Sequence, residues 1–347
     1  DILTVEAPIG VGTTTPSTGD YPYTSGVPVD VDVEAFPGPG YQFSSWNGDA
    51  NNQNNPTTVT MGSGNRSIQA VFDLIVYPMT MTTDPLGASA AVFIPSSPAN
   101  MTHGVARQIE VQDPSGYRFT NWSVSSGSVD IVDENNAITD MTVTGGTPAV
   151  VAHFEQIHTL NLVSVPSVVA ANEFNPESPA TVVDGVLTDI STPVPSGYHF
   201  VNWTVTGSAT LTNADLPNAQ ITVTGPATAQ ANFKPLHPVT LVSSPPEASP
   251  DFSPAASFDA IEGELTDISV TVPIGYEFVN WTVEDGDITL FNADLTDAQI
   301  IVNSAGIATV QANFLPIYNV TLLSTPPAAT PVTFSPDQAF TVVHGVD

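Results

Sequence analysis

The sequence predicts an all-β protein built as a linear tandem array of small antiparallel β-sandwich domains. Three observations support this fold class. A seven-residue phrase recurs four times at nearly constant spacing, and apolar and polar residues alternate with a period of two between the recurrences. The 347 residues also include 32 prolines and 24 glycines, which disfavour long helices.

The recurring phrase has the form Gly-Tyr-x-Phe-x-x-Trp and contains every tryptophan of the chain. Trp46, Trp122, Trp203 and Trp281 lie 76, 81 and 78 residues apart, which indicates a repeated structural unit. A turn glycine precedes each phrase at a similar distance. Each unit closes with a strand-like segment that ends in phenylalanine, at Phe72, Phe154, Phe233 and Phe314.

These landmarks divide the chain into four repeats and an incomplete fifth. The predicted boundaries are 1–74, 75–156, 157–235 and 236–316 for repeats 1 to 4, and 317–347 for the fifth repeat. Few residues separate each closing phenylalanine from the next opening strand, so we expect semi-rigid joints. The fifth repeat has an opening strand and a turn glycine, Gly345, but neither the aromatic phrase nor a closing strand.

Period-two alternation defines the strands within each repeat. Val29, Val31, Val33 and Ala35, for example, share one face of a predicted strand whose other face is acidic. We expect five or six short strands per repeat, packed as an immunoglobulin-like sandwich. A β-grasp-like unit is the alternative, but it requires a helix, and no segment has a helical period.

The aromatic side chains of the phrase are predicted to form the core of each repeat. A domain of this size buries only about 60% of its unfolded surface, so it depends on large aromatic side chains. In the alternative interpretation these rings stack on sugars. The twelve residues are Tyr41, Phe43, Trp46, Tyr117, Phe119, Trp122, Tyr198, Phe200, Trp203, Tyr276, Phe278 and Trp281.

The charge balance excludes several classes of partner. The chain has 35 acidic residues against four lysines and arginines, a net charge of −31. Nucleic acid is excluded because binding it requires a basic surface, and anionic membranes repel the chain for the same reason. No apolar run approaches the roughly 20 residues of a membrane span, so no membrane insertion is expected in this segment. The chain begins at Asp1 without a signal peptide, which we interpret as a processed product or a fragment.

No catalytic residues and no cofactor are predicted. The sequence contains no nucleophile elbow, histidine-rich metal spacing or phosphate-binding loop. The histidines occupy positions that vary between repeats: His153, for example, stands where repeats 3 and 4 have Asn232 and Asn313. The chain is therefore predicted not to be an enzyme.

Two kinds of surface site are alternatives to a plain solvated surface. Clustered aspartates offer oxygen ligands for calcium, at Asp285, Asp287, Asp294 and Asp297. Asn-x-Ser/Thr sequons offer glycosylation sites, at Asn65, Asn100, Asn121, Asn202, Asn280 and Asn319.

Repeat 1 combines several motifs in a fixed order. They are Leu3-Thr4-Val5, the aromatic phrase, Gly48-Asp49, Pro-Thr-Thr-Val-Thr-Met at 56–61, and Ala70-Val71-Phe72. This combination resembles the divergent internalin-type B-repeat family of bacterial surface proteins. Repeats 2 to 4 keep the aromatic phrase and the closing phenylalanine. The resemblance implies extracellular stalk, adhesin or surface-layer modules without catalytic residues.

We therefore expect a structural protein that is extracellular or located at the cell surface, forming a stalk or a fibre. Its expected partners are neighbouring repeats of a longer chain or further copies of itself. The fifth repeat cannot close a core alone, so either the chain continues or strand exchange with a neighbouring molecule completes it. The alternative is an adhesin whose repeats bind carbohydrate or a protein partner.

Overall fold

The computed structural model describes residues 1–167, 173–304, 306–323, 333, 335 and 339–345. It divides into two compact units, Asp1–Ile157 and His158–Asp347. The first unit contains repeats 1 and 2, and the second contains repeats 3 and 4 with part of the fifth. The elements of the described residues are strands and two short 3-10 helices, Leu86–Ala88 and Pro246–Ala248, so the all-β prediction is confirmed.

Repeat 1 is a sandwich of two sheets. Its strands are β1 (Ile2–Val5), β2 (Gly12–Thr15), β3 (Gly19–Pro22), β4 (Val29–Pro37), β5 (Tyr41–Gly48), β6 (Thr57–Met61) and β7 (Arg66–Leu74). The first sheet has the order β3-β1-β7-β5 and the second β2-β4-β6. The alternation of β4 places Val33 and Ala35 in the core, whereas Val29 at its start is 39% exposed.

Repeat 2 is built around one long strand. Its strands are β8 (Val76–Asp84), β9 (Val92–Ile94), β10 (Ala99–Thr102), β11 (Arg107–Gln112), β12 (Tyr117–Ile131) and β13 (Ile138–Val165). Within this repeat β13 pairs with β8, β11 and β12, while β10 pairs with β8 and β9 with β11.

The second compact unit follows the same plan. Its further strands are β14 (Ala180–Val183), β15 (Leu187–Ser191), β16 (Tyr198–Thr212), β17 (Asn218–Ser244), β18 (Phe252–Ser253), β19 (Ser257–Ile261), β20 (Leu265–Val270), β21 (Tyr276–Asp285), β22 (Ile288–Phe291), β23 (Asp297–Val302), β24 (Ala308–Thr321) and β25 (Ala339–Val343). The second sheet of repeat 4 has the order β18-β20-β23-β22. Strand β17 continues without a loop from the closing strand of repeat 3 into the opening strand of repeat 4.

One strand pair in each repeat departs from the antiparallel pattern. The opening strand of each repeat pairs in parallel with its closing strand, in the pairs β1–β7, β8–β13, β13–β17 and β17–β24. The other pairs between named strands that the register describes are antiparallel. The rest of the repeat lies between the two strands of each pair, and this supplies the long connection that parallel neighbours need.

A β-bulge explains the spacing of the aromatic phrase. Phe and Trp are three residues apart, and in a regular strand they would therefore point to opposite faces. In each repeat the register shifts by one residue between them, at Phe43/Ser45, Phe119/Asn121, Phe200/Asn202 and Phe278/Asn280. The extra residue returns the tryptophan to the same face as the phenylalanine, so both pack into the core.

Candidate functional site: aromatic cores, joints and surface polar groups

The four tryptophans lie at the centre of the four cores. Trp46 and Trp122 are 0% exposed, Trp281 is 1% and Trp203 is 2%. Each indole N–H donates to a backbone carbonyl of the segment after the phrase, which satisfies the buried polar group. The acceptors are Asn54, Asn136, Pro217 and Leu295, at 3.1, 3.1, 3.3 and 3.1 Å. Buried indoles have no face to offer a sugar, which excludes the stacking alternative for the tryptophans.

The tyrosines and phenylalanines of the phrase pack around the tryptophans. Phe200 is 7% exposed and the other seven are half-buried against their clusters. The Phe–Trp ring centroids are 5.7, 5.6, 6.2 and 6.0 Å apart in repeats 1 to 4. The phrase therefore supplies packing within each repeat.

The joints, residues 73–75, 155–157, 234–236 and 315–317, share one backbone hydrogen bond. The last residue of each joint donates its N–H to the carbonyl of the glycine that begins the preceding phrase. The bonds are Ile75 to Gly40 (2.9 Å), Ile157 to Gly116 (2.9 Å), Leu236 to Gly197 (2.8 Å) and Ile317 to Gly275 (2.8 Å). Each joint is thereby attached to the repeat that it leaves.

A second backbone bond attaches three joints to the repeat that follows. The residue before the next turn glycine donates its N–H to a joint carbonyl: His103 to Ile75 (2.8 Å), Glu262 to Pro235 (3.0 Å) and His344 to Pro316 (3.0 Å). Sequence reasoning did not find these contacts. The only signal for them was that the donor residue stands directly before each turn glycine.

Side-chain contacts accompany the joints, and those after repeats 1 and 3 are examples. Between repeats 3 and 4, His237 Nε2 lies 2.8 Å from Glu262 Oε2, and Lys234 Nζ lies 2.8 Å from Glu264 Oε1. Between repeats 1 and 2, the ring of His103 packs on Gly40 so closely that a Cβ there would lie 2.1 Å from the ring. These side chains add contacts to the backbone bonds, and semi-rigid joints stay a prediction.

The sequon asparagines lie in two kinds of environment. Asn202 and Asn280 are half-buried, and their Oδ1 atoms accept hydrogen bonds from Asn232 Nδ2 (2.7 Å) and Asn313 Nδ2 (2.9 Å). Asn121 is also half-buried and donates to the Trp122 carbonyl at 3.2 Å. The remaining three, Asn65, Asn100 and Asn319, are exposed. Glycosylation stays a prediction, and the exposed three are the sterically favoured acceptors.

In repeat 2 a histidine takes the place of the bridging asparagine. Ser123 Oγ lies 2.7 Å from His153 Nε2, and His153 Nδ1 lies 3.2 Å from Asp84 Oδ2. This is the connectivity of a hydrolytic triad, but catalysis also requires oxyanion donors and shelter from water. Asp84 is 67% exposed, and the N–H of Trp122 is occupied by the Glu134 carbonyl at 2.7 Å. We interpret the cluster as a bridge between β12, β13 and β8. The asparagines at this position in repeats 3 and 4 bridge two strands each.

The predicted calcium ligands fall on two neighbouring segments of repeat 4. Of Asp285, Asp287, Asp294 and Asp297, the first two flank the β21–β22 turn and the last two lie at the start of β23 or just before it. Asp287 already accepts hydrogen bonds from Asn303 (3.2 Å) and Ser304 (3.0 Å). Within the described residues, no group of three or more His, Cys, Asp or Glu side chains is placed to hold a metal ion. Calcium binding at these positions stays a prediction.

Asp49 connects the end of β5 to β7. Its carboxylate accepts the Ser67 N–H at 2.7 Å and Arg66 Nη1 at 2.9 Å. The backbone bond from Ser67, followed by the contact with Arg66, holds the pKa of Asp49 below its ordinary value. The charged carboxylate therefore stabilises the folded state.

Replacing Asp49 with asparagine should lower the stability of repeat 1 at pH 7 by less than about 1 kcal/mol, since exposed ion pairs contribute about 0.2–1 kcal/mol. A depressed folded pKa contributes stability above the unfolded value, about 3.9, and this is lost as the pH falls through the folded value. Urea titrations from pH 7 to pH 2 should show the two proteins converging in acid. A difference that grows in acid would contradict this account.

These features define an all-β tandem-repeat protein with aromatic cores and hydrogen-bonded joints. The model of the divergent InlB B-repeat domain matches residues 3–76, 81–158, 169–236 and 242–318. The chain therefore belongs to the divergent InlB B-repeat family, and the resemblance seen in the sequence is confirmed.

Other comparisons add little. No curated protein matches the chain. Three titin immunoglobulin domains, I67–I69 in an E-to-A variant, align with 7% identity and a TM-score of 0.10, covering 69% of this chain and 96% of theirs. The N-terminal four immunoglobulin domains of Dscam1 isoform 4.4 align with 7% identity and a TM-score of 0.10, covering 88% and 97%. Likeness at this level carries no argument. Among the described residues, no helix has the length and apolar character that a membrane span needs.

Proposed function

We propose that this chain is a non-enzymatic structural segment of an extracellular or cell-surface protein, in which the repeats form a stalk or a fibre. The observation that carries the proposal is the pair of backbone hydrogen bonds at three of the four joints, from Ile75 to Gly40 and from His103 to Ile75 for example. Bonds on both sides of a short joint restrict the motion of one repeat against the next, as the connections within a stalk require. The family membership fits a location at the cell surface. The net charge of −31 favours a protein that stays in solution through self-repulsion.

Small-angle scattering and negative-stain electron microscopy test this proposal. A compact 347-residue protein would have a radius of gyration of about 20 Å. We expect a clearly larger value and particles that are rods of uniform length. A radius of gyration near the compact value, or particles with freely variable bends at every joint, would contradict the stalk.

The fifth repeat supplies the finer part of the proposal. Its opening strand, the part of β24 from Ile317 to Thr321, pairs with β25 on one edge. In repeats 1 to 4 the opening strand also pairs in parallel with a closing strand, and among the described residues the fifth repeat has no such strand. Tyr318 there is 50% exposed. We propose that a further strand, from continuing chain or from another molecule, completes this edge.

Mass spectrometry and sedimentation separate the two sources of that strand. A native polypeptide much heavier than 36.2 kDa would favour continuing chain. Filaments or oligomers of a chain of this mass would favour exchange between molecules. A native chain of 36.2 kDa that stays monomeric at high concentration would eliminate the exchange. An adhesin is the second candidate function, because repeats 1, 3 and 4 each carry a polar groove, lined for example by Asp32, Asp189 and Asp267.

A further inference from the structure

Repeats 1, 3 and 4 carry a polar groove over equivalent pairs of strands. Its volume is about 330 Å³ in repeat 1 and about 400 Å³ in repeats 3 and 4. The groove lies over two antiparallel strands, β4 and β6, β15 and β17, or β20 and β23. The apolar residues of these strands, such as Ile268 and Ala298, are buried in the core, and the polar residues between them line the groove.

The register shows that the three grooves are equivalent. An aspartate on the first strand stands opposite a hydrogen-bonding residue on the second: Asp32 opposite Thr58, Asp189 opposite Gln220, and Asp267 opposite Gln299. In every pair Oδ1 of the aspartate accepts a bond from its partner, at 3.1, 2.8 and 2.8 Å. An Asp–Gln pair therefore recurs in repeats 3 and 4, and repeat 1 has an Asp–Thr pair at the same place.

The groove presents unused hydrogen-bonding capacity. In repeats 3 and 4, Oδ2 of the aspartate and Oε1 of the glutamine have no protein partner among the described residues, and neither do the hydroxyls of Ser191 and Ser269. Acceptors and a hydroxyl that can donate or accept stand side by side on a rigid sheet. Such a set matches a ligand that carries several adjacent hydroxyl groups.

We propose that these grooves bind a neutral glycan. Anionic glycans are repelled by a chain of net charge −31, and a simple cation would not select the grooves on a surface that is acidic throughout. The residues that line the grooves include no aromatic ring. Recognition therefore rests on hydrogen bonds from sugar hydroxyls to the Asp–Gln or Asp–Thr pair.

Several weak sites would act together. An open polar groove gives low affinity by itself, because sugar hydroxyls exchange bonds to water for bonds to protein. A glycan polymer offers many equivalent segments, and the grooves of repeats 3 and 4 lie in one compact unit, so binding at one raises the effective concentration at the other. The inference rests on the adhesin candidate, for which it names the class of ligand, and it concerns a surface that the joints do not use.

Biolayer interferometry of the full chain on immobilised dextran, mannan and amylose tests the inference, with alginate as the anionic comparison. We expect binding to at least one neutral polysaccharide, weakened at least about tenfold in D32A/D189A/D267A as multivalent contact is lost. The control D73A/E177A/E277A removes three exposed carboxylates of the same repeats outside the grooves and should bind like the parent. Should the alanine variant fail to fold, D32N/D189N/D267N keeps the side-chain shape and should also bind more weakly.

Three results would overturn the inference: no binding to any neutral polysaccharide, equal weakening by the control, or binding that disappears with a calcium chelator. The stalk is tested separately, because the groove variants should leave the particle length measured by electron microscopy unchanged whether or not they bind glycan.

Discussion

Replacing Trp281 with alanine is expected to unfold repeat 4. The side chain is 1% exposed, packs against Phe252 and Phe278, and donates to the Leu295 carbonyl. Truncating a buried tryptophan costs about 3–5 kcal/mol. A whole small domain has only about 5–15 kcal/mol of stability, so the loss should remove most of the folded population in mild urea.

Hydrogen-exchange mass spectrometry measures the loss of stability separately in each repeat. Peptides from β21 and β24 should lose protection, whereas those of repeat 1 should keep it. Val279 provides the matched control, because it lies in the same phrase, is the extra residue of the bulge and is 43% exposed. Val279→Ala should change stability by about 0.5 kcal/mol or less, as for most surface substitutions. Equal losses of stability in the two variants would show that Trp281 does not stabilise the core of repeat 4.

Replacing Gly40 with alanine is expected to open the joint between repeats 1 and 2. Gly40 has φ +78°, and Gly116, which begins the next phrase, has φ +80°. Both alanine variants therefore incur the left-handed backbone cost of about 1–2 kcal/mol. They differ in one respect: a Cβ at Gly40 would lie 2.1 Å from the His103 ring, whereas Gly116 has no atom within 4 Å of the added Cβ.

The comparison of Gly40→Ala with Gly116→Ala isolates the contact between residue 40 and the His103 ring. Overpacking typically costs a further 1–3 kcal/mol or so, and in Gly40→Ala it should appear as faster amide exchange at Ile75 and His103. The double variant G40A/H103A removes the clash and should return to the level of Gly116→Ala. If Gly40→Ala and Gly116→Ala were equally destabilised, the histidine contact would have no part in the joint.

The sequence predicted those features that depend on local pattern. Alternation identified the strands, and the spacing of the tryptophans identified the repeats and their cores. Features that depend on register could not be predicted. Asp189 and Gln220 are 31 residues apart, and only the pairing of β15 with β17 makes them neighbours. Likewise, His153 was recognised as a variable position, but its contact with Asp84 spans 69 residues.

The aromatic phrase combines a spacing that the sequence shows with a strand register that it does not show. Its three-residue spacing from Phe to Trp was visible, yet period-two alternation alone would place the two rings on opposite faces. The spacing becomes consistent only with a bulge, so an odd spacing between core residues in a strand is itself a usable signal for one. The joints were predicted to be short, but the donors His103 and Glu262 come from a turn in the next repeat.

The parallel pairing of opening and closing strands has a mechanical consequence. When the two ends of a repeat are pulled apart, its first strand moves one way and its last strand the other. Because these strands are parallel neighbours, tension loads their hydrogen bonds together in shear and does not unzip them one at a time. In repeat 4 the parallel pairing of β17 with β24 comprises six residue pairs, from Val239↔Ala308 to Ser244↔Asn313. The same backbone contacts that close each sandwich therefore also make it resistant to force along the chain.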